Sequence, residues 1–341
     1  MTTLSEVAQR AGVTSATVSN VLRQRGKVGA ETRARVLAAV DALGYRPHLT
    51  ARALAEGRAP TLALMVSSIA NPFYPEFALA AEQAARQHGR FLIVCNTNDD
   101  PEIGRAYLEQ IAGTLSDGVL VMNANLQFED LRMTQRRGAP VVLCMWEKPH
   151  EPPGLPCIAV DFHLAGALAA RHLIELGHRR IGIIVAGGAA CIHAERERGF
   201  IDELAVLGHA GAAVASVHAD DTVEGGHQGA TALLTAAPDL SAIFATNDLP
   251  ALGAMHAAAD LGLKVPDQLS VIGITDIQLA RQSRPALSTV AVPTAEAATQ
   301  AIALLLELIA QQAGPAPVRV CSPPLLVQRA STARPAPDAA V

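Results

Sequence analysis

Ser15, Ala16, Ser19 and Asn20 fall on one side of a short helix, where their side chains suit recognition rather than catalysis. The apolar residues around them define that side. Leu4, Val7, Ala8 and Ala11 recur at the i, i+3, i+4, i+7 spacing of a buried helical face, and Gly12 ends the run. Thr14 is a natural N-cap for a second helix, which packs through Val18, Val21 and Leu22. The four residues named first are left facing outward. Asn20 could pair bidentately with adenine, Ala16 could touch a thymine methyl, and the hydroxyls could reach bases or phosphates. An ordinary solvated helix would carry the same residues, and spacing alone leaves both readings open.

A third stretch, with Val36, Ala39, Val40 and Leu43 on one stripe and Gly44 at its end, can close a three-helix core. Two helices joined by a tight glycine-containing turn describe a helix-turn-helix. Charge supports that reading. Residues 1–60 hold 9 Lys and Arg against 4 Asp and Glu, whereas the rest of the 341-residue chain holds 18 against 28. Only the head has a field that favours a polyanion, which the whole-chain charge of −5 conceals.

Other chemistries are poorly supported. No G-x-G-x-x-G, P-loop, G-x-S-x-G or H-E-x-x-H pattern occurs, so no enzyme and no cofactor is expected. The 11 histidines include His172 and His178 on one helix but form no cluster at metal-ligand spacing. Cys95, Cys144, Cys157, Cys191 and Cys321 form no C-x-x-C pair, and all but Cys191 lie in apolar, strand-like runs. They read as reduced core residues of a cytoplasmic protein. There is no secretory signal pattern after Met1, and no apolar run approaches the roughly 20 residues of a membrane helix.

Beyond residue 60, apolar runs at 62–66, 91–95, 118–122 and 141–145 alternate with helical patterns at 74–88, 102–115 and 127–137. A second series begins near Cys157, with strands at 181–185, 213–217, 242–245 and 270–274 and helices at 163–177, 195–208, 225–236 and 249–262. Alternation of this kind implies parallel sheets covered by helices on both faces, here as two lobes with a cleft between them. The expected fold is an N-terminal all-α helix-turn-helix domain plus an α/β body of two parallel-sheet lobes.

The segments Leu4-Ser5-Glu6-Val7-Ala8, Ala11-Gly12-Val13-Thr14, Thr17-Val18-Ser19-Asn20-Val21-Leu22 and Leu43-Gly44-Tyr45-Arg46-Pro47 resemble the head of the lactose-repressor (LacI/GalR) family. In the body the resemblance continues through Asn71-Pro72-Phe73-Tyr74, Leu176-Gly177-His178-Arg179-Arg180, Gly199-Phe200, Thr246-Asn247-Asp248 and Pro285-Ala286-Leu287-Ser288-Thr289-Val290. The resemblance implies an effector-controlled repressor that binds a palindromic DNA operator as a homodimer, with a body like a periplasmic sugar-binding protein. Ser15, Ala16 and Asn20 then read bases, while Thr17, Ser19 and Tyr45 hold phosphates, which set register without reading sequence.

After Pro47 comes a helix-prone segment from His48 that Gly57 and Pro60 end, shorter than the roughly 12–15 residues an isolated helix needs. By resemblance it is a hinge helix that forms on DNA, with Leu54 as an apolar wedge in the minor groove. Here His48 stands where Asn is usual, and Ala55 where a basic residue often follows the wedge, which shifts affinity toward Arg52 and Arg58.

Carried over by position, Phe73, Tyr74, Arg196, Asn247, Asp248 and the loop holding Thr275 and Asp276 are the candidate effector-binding residues. The family usually places an aromatic residue and then Asp after the strand at 270–274. Thr275 stands where that first carboxylate would be, and Asp161-Phe162 replaces the usual Asp-Asn. With Trp146 and Cys191 also expected near the pocket, the effector is read as a sugar or an organic acid. The expected division is a head over 1–47, a hinge over 48–59, lobes over 60–160 with 292–320 and 161–291 with 321–332, and a disordered tail over 333–341. A solute-binding transport protein is the alternative for the body alone.

Overall fold

The computed structural model describes residues 2–22, 26–45, 61–122, 125–148, 153–187, 192–311 and 316–335. It divides into two compact units, Met1–Pro60 and Thr61–Val341. Arg52 and Leu54, with the rest of the expected hinge, lie outside the described residues, as does Cys191.

In the first unit, helices α1 (Leu4–Ala11), α2 (Ser15–Leu22) and α3 (Ala30–Leu43) enclose Val7, Ala8, Ala11, Val18, Val21, Val36 and Ala39. Tyr45 and Leu4 pack against that cluster. A capping box starts α1: the Glu6 amide donates to Thr3 Oγ1 at 3.3 Å, and the Thr3 amide donates to Glu6 Oε2 at 2.7 Å. Gly12, at φ 63°, closes α1 in the left-handed region, where a side chain would be strained. Thr14 caps α2 by accepting from the Thr17 amide at 3.2 Å.

The second unit holds two six-stranded sheets. The first runs β11-β5-β4-β3-β1-β2, built from β1 (Thr61–Val66), β2 (Phe91–Asn96), β3 (Val119–Met122), β4 (Val141–Glu147), β5 (Cys157–Val160) and β11 (Val318–Val320). The second runs β12-β10-β9-β8-β6-β7, from β6 (Ile181–Ala186), β7 (Ala213–Ala219), β8 (Ala242–Ala245), β9 (Ser270–Thr275), β10 (Ser288–Ala291) and β12 (Leu325–Val327). All pairings are parallel except that of β10 with β12. The central strands β3, β5, β6, β8 and β9 are buried along their whole length, as expected of parallel strands covered on both faces.

Helices α4 (Phe73–Gln87), α5 (Pro101–Ile111), α6 (Phe128–Arg136) and α12 (Thr294–Ile309) serve the first sheet. Helices α7 (Phe162–Leu176), α8 (Ile192–Val206), α9 (Val223–Ala236), α10 (Asp248–Asp260) and the short α11 (Gln278–Gln282) serve the second. The helix expected over 102–115 ends earlier, at Ile111, because Gly113 turns the chain at φ 72°. Since α12 packs on β3, β4 and β5, the chain passes between lobes after β5, after β10 and between β11 and β12.

Cys95, Cys144, Cys157 and Cys321 are buried free thiols, and burial pushes Cys95 and Cys157 up to about 11. His172 and His178 staple the C-terminal segment to the second lobe. His178 Nε2 donates to the Ala333 carbonyl at 2.9 Å, and His172 Nε2 lies 2.9 Å from Thr332 Oγ1. The Ala333 amide also donates to Ser270 Oγ at 3.0 Å. The expectation of a free tail from 333 onward therefore fails at Ala333, whose backbone completes a buried polar network. No helix among the described residues is long and apolar enough to cross a membrane.

Candidate functional site

On α2, Ala16 and Asn20 are exposed while Ser15, Thr17 and Ser19 are half-buried, so one flank of the helix faces outward. That division follows from Val18 and Val21, which take the opposite flank into the core. Thr14 Oγ1 and Thr17 Oγ1 lie 3.0 Å apart, leaving hydroxyls and the Asn20 amide as the polar groups offered by this surface.

In the second unit, the loops after β1, β6, β7 and β8 meet the ends of β3, β4 and β9. Both sheets change direction of strand order at such a point, β1/β3 in one and β6/β8 in the other. Open α/β sheets place ligands there. A cavity occupies this junction. Phe73 and Tyr74 enter it from the first turn of α4, with ring centroids 5.6 Å apart and planes at 68°. Cys144, Met145 and Trp146 also line it in succession. Three consecutive residues of a regular strand could not face one side, but β4 shifts register between Leu143 and Trp146, with Met145 at φ 54°.

Arg196 and His193 come from the first turns of α8. Arg196 is 1% exposed, its guanidinium 4.5 Å from the Phe162 ring centroid, and its Nη1 donates to the Thr246 carbonyl at 2.6 Å. A buried cation needs such partners. The helix reaches this depth because α7 and α8 touch through Gly166 and Gly199: a Cβ on Gly199 would lie 1.9 Å from the His163 carbonyl oxygen. The Thr246 hydroxyl accepts from the Ala186 amide at 2.9 Å and lies 3.3 Å from His193 Nδ1. Burial, with the nearby Arg196 charge, pushes the His193 pKa down to about 3, so the ring is neutral at pH 7.

Asp221, in the loop after β7, is the centre of the polar wall. Its carboxylate accepts from Asn247 Nδ2 at 2.8 and 2.9 Å and from Asn71 Nδ2 at 2.9 Å. Asn71 belongs to the first lobe and Asn247 to the second, so this carboxylate joins the two. Burial raises its pKa, against the lowering effect of Asn247, Arg196 and Asn71.

Of the expected effector residues, Phe73, Tyr74, Arg196 and Asn247 line one cavity together with Thr275, and Asp248 and Asp276 do not. Asp248 is fully buried beneath it. Its oxygens accept from Thr289 Oγ1 at 2.6 Å, Thr275 Oγ1 at 3.1 Å and the Ile277 amide at 3.0 Å. Asp276 is turned away by Arg329 and Arg281, at 2.5 and 2.8 Å. Both carboxylates shape the loop after β9 and leave Thr275, at φ 130°, facing the cavity. Asn71, His193 and Asp221 were not anticipated. A signal existed for Asn71 and His193, since each lies within a turn of an expected site residue.

Residues 3–48 match the description "Bacterial regulatory proteins, lacI family", and residues 170–332 match "Periplasmic binding protein-like domain". The HTH-type transcriptional regulator GalR of Escherichia coli (strain K12) is 33% identical over 341 residues, covering 99% of this chain and 98% of that protein. The chain belongs to the lacI family of bacterial regulatory proteins. The HTH-type transcriptional repressor PurR of Pectobacterium carotovorum subsp. carotovorum (strain PC1) is 34% identical, with 96% of each chain covered. Among solved structures, the lac repressor dimer bound to operator and the anti-inducer ONPF matches with a TM-score of 0.84 at 25% identity, covering 97% of this chain and 99% of that one. A complex of the regulator CelR with cellobiose matches at 0.71 and 27%, covering 97% and 100%. This lacI-family chain is thus a DNA-binding transcription regulator with an effector-binding body, not an enzyme.

Proposed function

We propose that this regulator is a cytoplasmic repressor that binds a palindromic operator as a homodimer and responds to a small effector held between the lobes. The observation that carries the effector reading is the cavity itself, which draws its wall from both sheets at the carboxyl ends of their strands. A ligand in contact with both lobes has different affinity for open and closed arrangements, which is what coupling to operator affinity requires. Of the two classes expected from sequence, the organic acid is favoured over the sugar. Phe73, Tyr74, Met145 and Trp146 make most of the wall apolar, and Arg196 supplies a positive charge. Phe73, Tyr74, Arg196 and Asn247 are the residues assigned to the effector, and Asp248 and Asp276 support them from behind.

In the head, Ser15, Ala16 and Asn20 are assigned to bases, and Thr14, Thr17, Ser19 and Tyr45 to phosphates. The Arg52 and Leu54 segment is assigned to the minor groove on sequence alone. Selection of operators from a random DNA pool, followed by gel-shift titration, tests this. Asn20→Ala is expected to weaken the selected site by about fivefold or more, from the ~1–3 kcal/mol of a bidentate base contact. Nonspecific DNA should bind as before. A selected site without two-fold symmetry, or a tetramer mass by light scattering, would contradict the dimer reading.

A further inference from the structure

Asp221 is a carboxylate in the cavity wall that pairs directly with no Lys or Arg among the described residues, although the Arg196 charge acts on it through space. Its nearest basic group among the described residues is His193 Nε2, 4.0 Å from Oδ2, and that ring is neutral at pH 7. Asn71 and Asn247 orient both oxygens without adding charge. Asp99, on the loop after β2, adds like-charge repulsion from the other lobe. Ionised carboxylates in sites of low polarity are stabilised by a partner of opposite sign, and the space that Asp221 faces is the cavity.

The same wall holds Arg196, so the cavity presents one positive and one negative group above aromatic and thioether surfaces. A polyhydroxylated sugar has no charge for either group. A simple organic acid satisfies the guanidinium but meets repulsion at Asp221. The chemistry that fits both is a zwitterion with an apolar or aromatic body.

We propose that Asp221 is the specificity-determining residue of the cavity and selects an effector bearing a protonated amine, so that the organic acid is an amino acid or a close relative. This rests on the interlobe effector site proposed above and narrows its ligand class. Asn71 places the first lobe on the same carboxylate, so a ligand amine bound there also engages the contact that joins the lobes.

The test uses the full chain and four probes: L-phenylalanine, phenethylamine, phenylacetate and glucose, each titrated by calorimetry and thermal shift. The expected result is binding of L-phenylalanine and phenethylamine at least tenfold tighter than of phenylacetate or glucose. Asp221→Asn is expected to weaken the two amines at least tenfold and to improve phenylacetate. Asp221→Ser serves as a second variant, and circular dichroism checks that both fold. Met145→Trp, which fills the cavity, should abolish binding of every probe. Equal or tighter binding of phenylacetate or glucose, amine binding unchanged in both Asp221 variants, or no amine binding at all overturns the assignment to Asp221. Binding that survives Met145→Trp overturns the cavity as the effector site instead.

Discussion

Asp248 accepts three hydrogen bonds, from Thr289 Oγ1, Thr275 Oγ1 and the Ile277 amide, and still its pKa is pushed up to about 6. Complete burial raises it and outweighs those three stabilising bonds, with Asp276 adding repulsion. The linkage has a definite sign. In the unfolded chain the group titrates near its ordinary 3.8, so below that pH both states hold the proton and its contribution to stability is complete. Between about 4 and 6 the folded protein keeps a proton that the unfolded chain has released, and each unit of rising pH costs up to ~1.4 kcal/mol. Above about 6 the contribution is gone. The unfolding free energy of the native chain minus that of Asp248→Asn is expected to fall by about 2 kcal/mol between pH 4.5 and 7.5, measured by urea titration. A difference that stays flat across this range would mean that burial does not raise the group. Its role is to hold the Thr275 turn at a backbone angle that a β-branched residue otherwise avoids.

Among the elements, the pairing of α7 with α8 decides where Arg196 goes. A Cβ on Gly166 would lie 1.9 Å from the Arg196 carbonyl oxygen, and one on Gly199 the same distance from that of His163. Overpacking a core commonly costs ~1–3 kcal/mol, and a clash against backbone on both sides belongs at the upper end. Gly199→Ala is expected to lower stability by ~3 kcal/mol in urea unfolding and to withdraw Arg196 from the Thr246 carbonyl; a loss under ~1 kcal/mol would show that the helices can part easily. The central strands were legible from sequence because each is a short apolar run bounded by turn residues. Strands β11 and β12 were not, being three residues long and half-exposed at sheet edges. Phe73, Arg196 and Asn247 were anticipated from their positions in the family resemblance. Asp248 was expected to line the cavity beside Asn247 but does not: Asn247 caps α10 and faces the cavity, while its neighbour on the first turn points into the sheet. Asp221 was invisible because it sits in Ala219-Asp220-Asp221-Thr222, a polar run that reads as a helix cap after an edge strand. The bend that turns Met145 inward has no sequence signature either.

The body as a whole is two lobes joined by three chain crossings and by a few polar contacts across the cleft. Two of them are Asn71 with Asp221, at the cavity, and the Gln278 amide donating to Glu76 Oε1 at 2.8 Å, at its margin. Both favour the closed arrangement, and both are weak enough for a ligand to compete with or reinforce. Glu76→Ala removes the second contact without touching the cavity wall. A hydrogen bond to a charged group near the surface is worth roughly 1 kcal/mol net, so the closed population falls about fivefold relative to the open one. Where closure is needed for tight binding, effector affinity drops by up to that factor. The consequence for DNA follows by reciprocity: an effector that grips both lobes stabilises closure, and Glu76→Ala opposes it. Operator affinity in the effector-free variant must therefore shift in the direction opposite to the shift that effector produces in the native chain, whichever direction that is. Gel-shift titrations of both proteins, with and without effector, measure the two shifts on one scale. A variant that moves operator affinity in the same direction as the effector would mean that the ligand opens the cleft, and that Glu76 is a spacer rather than a latch.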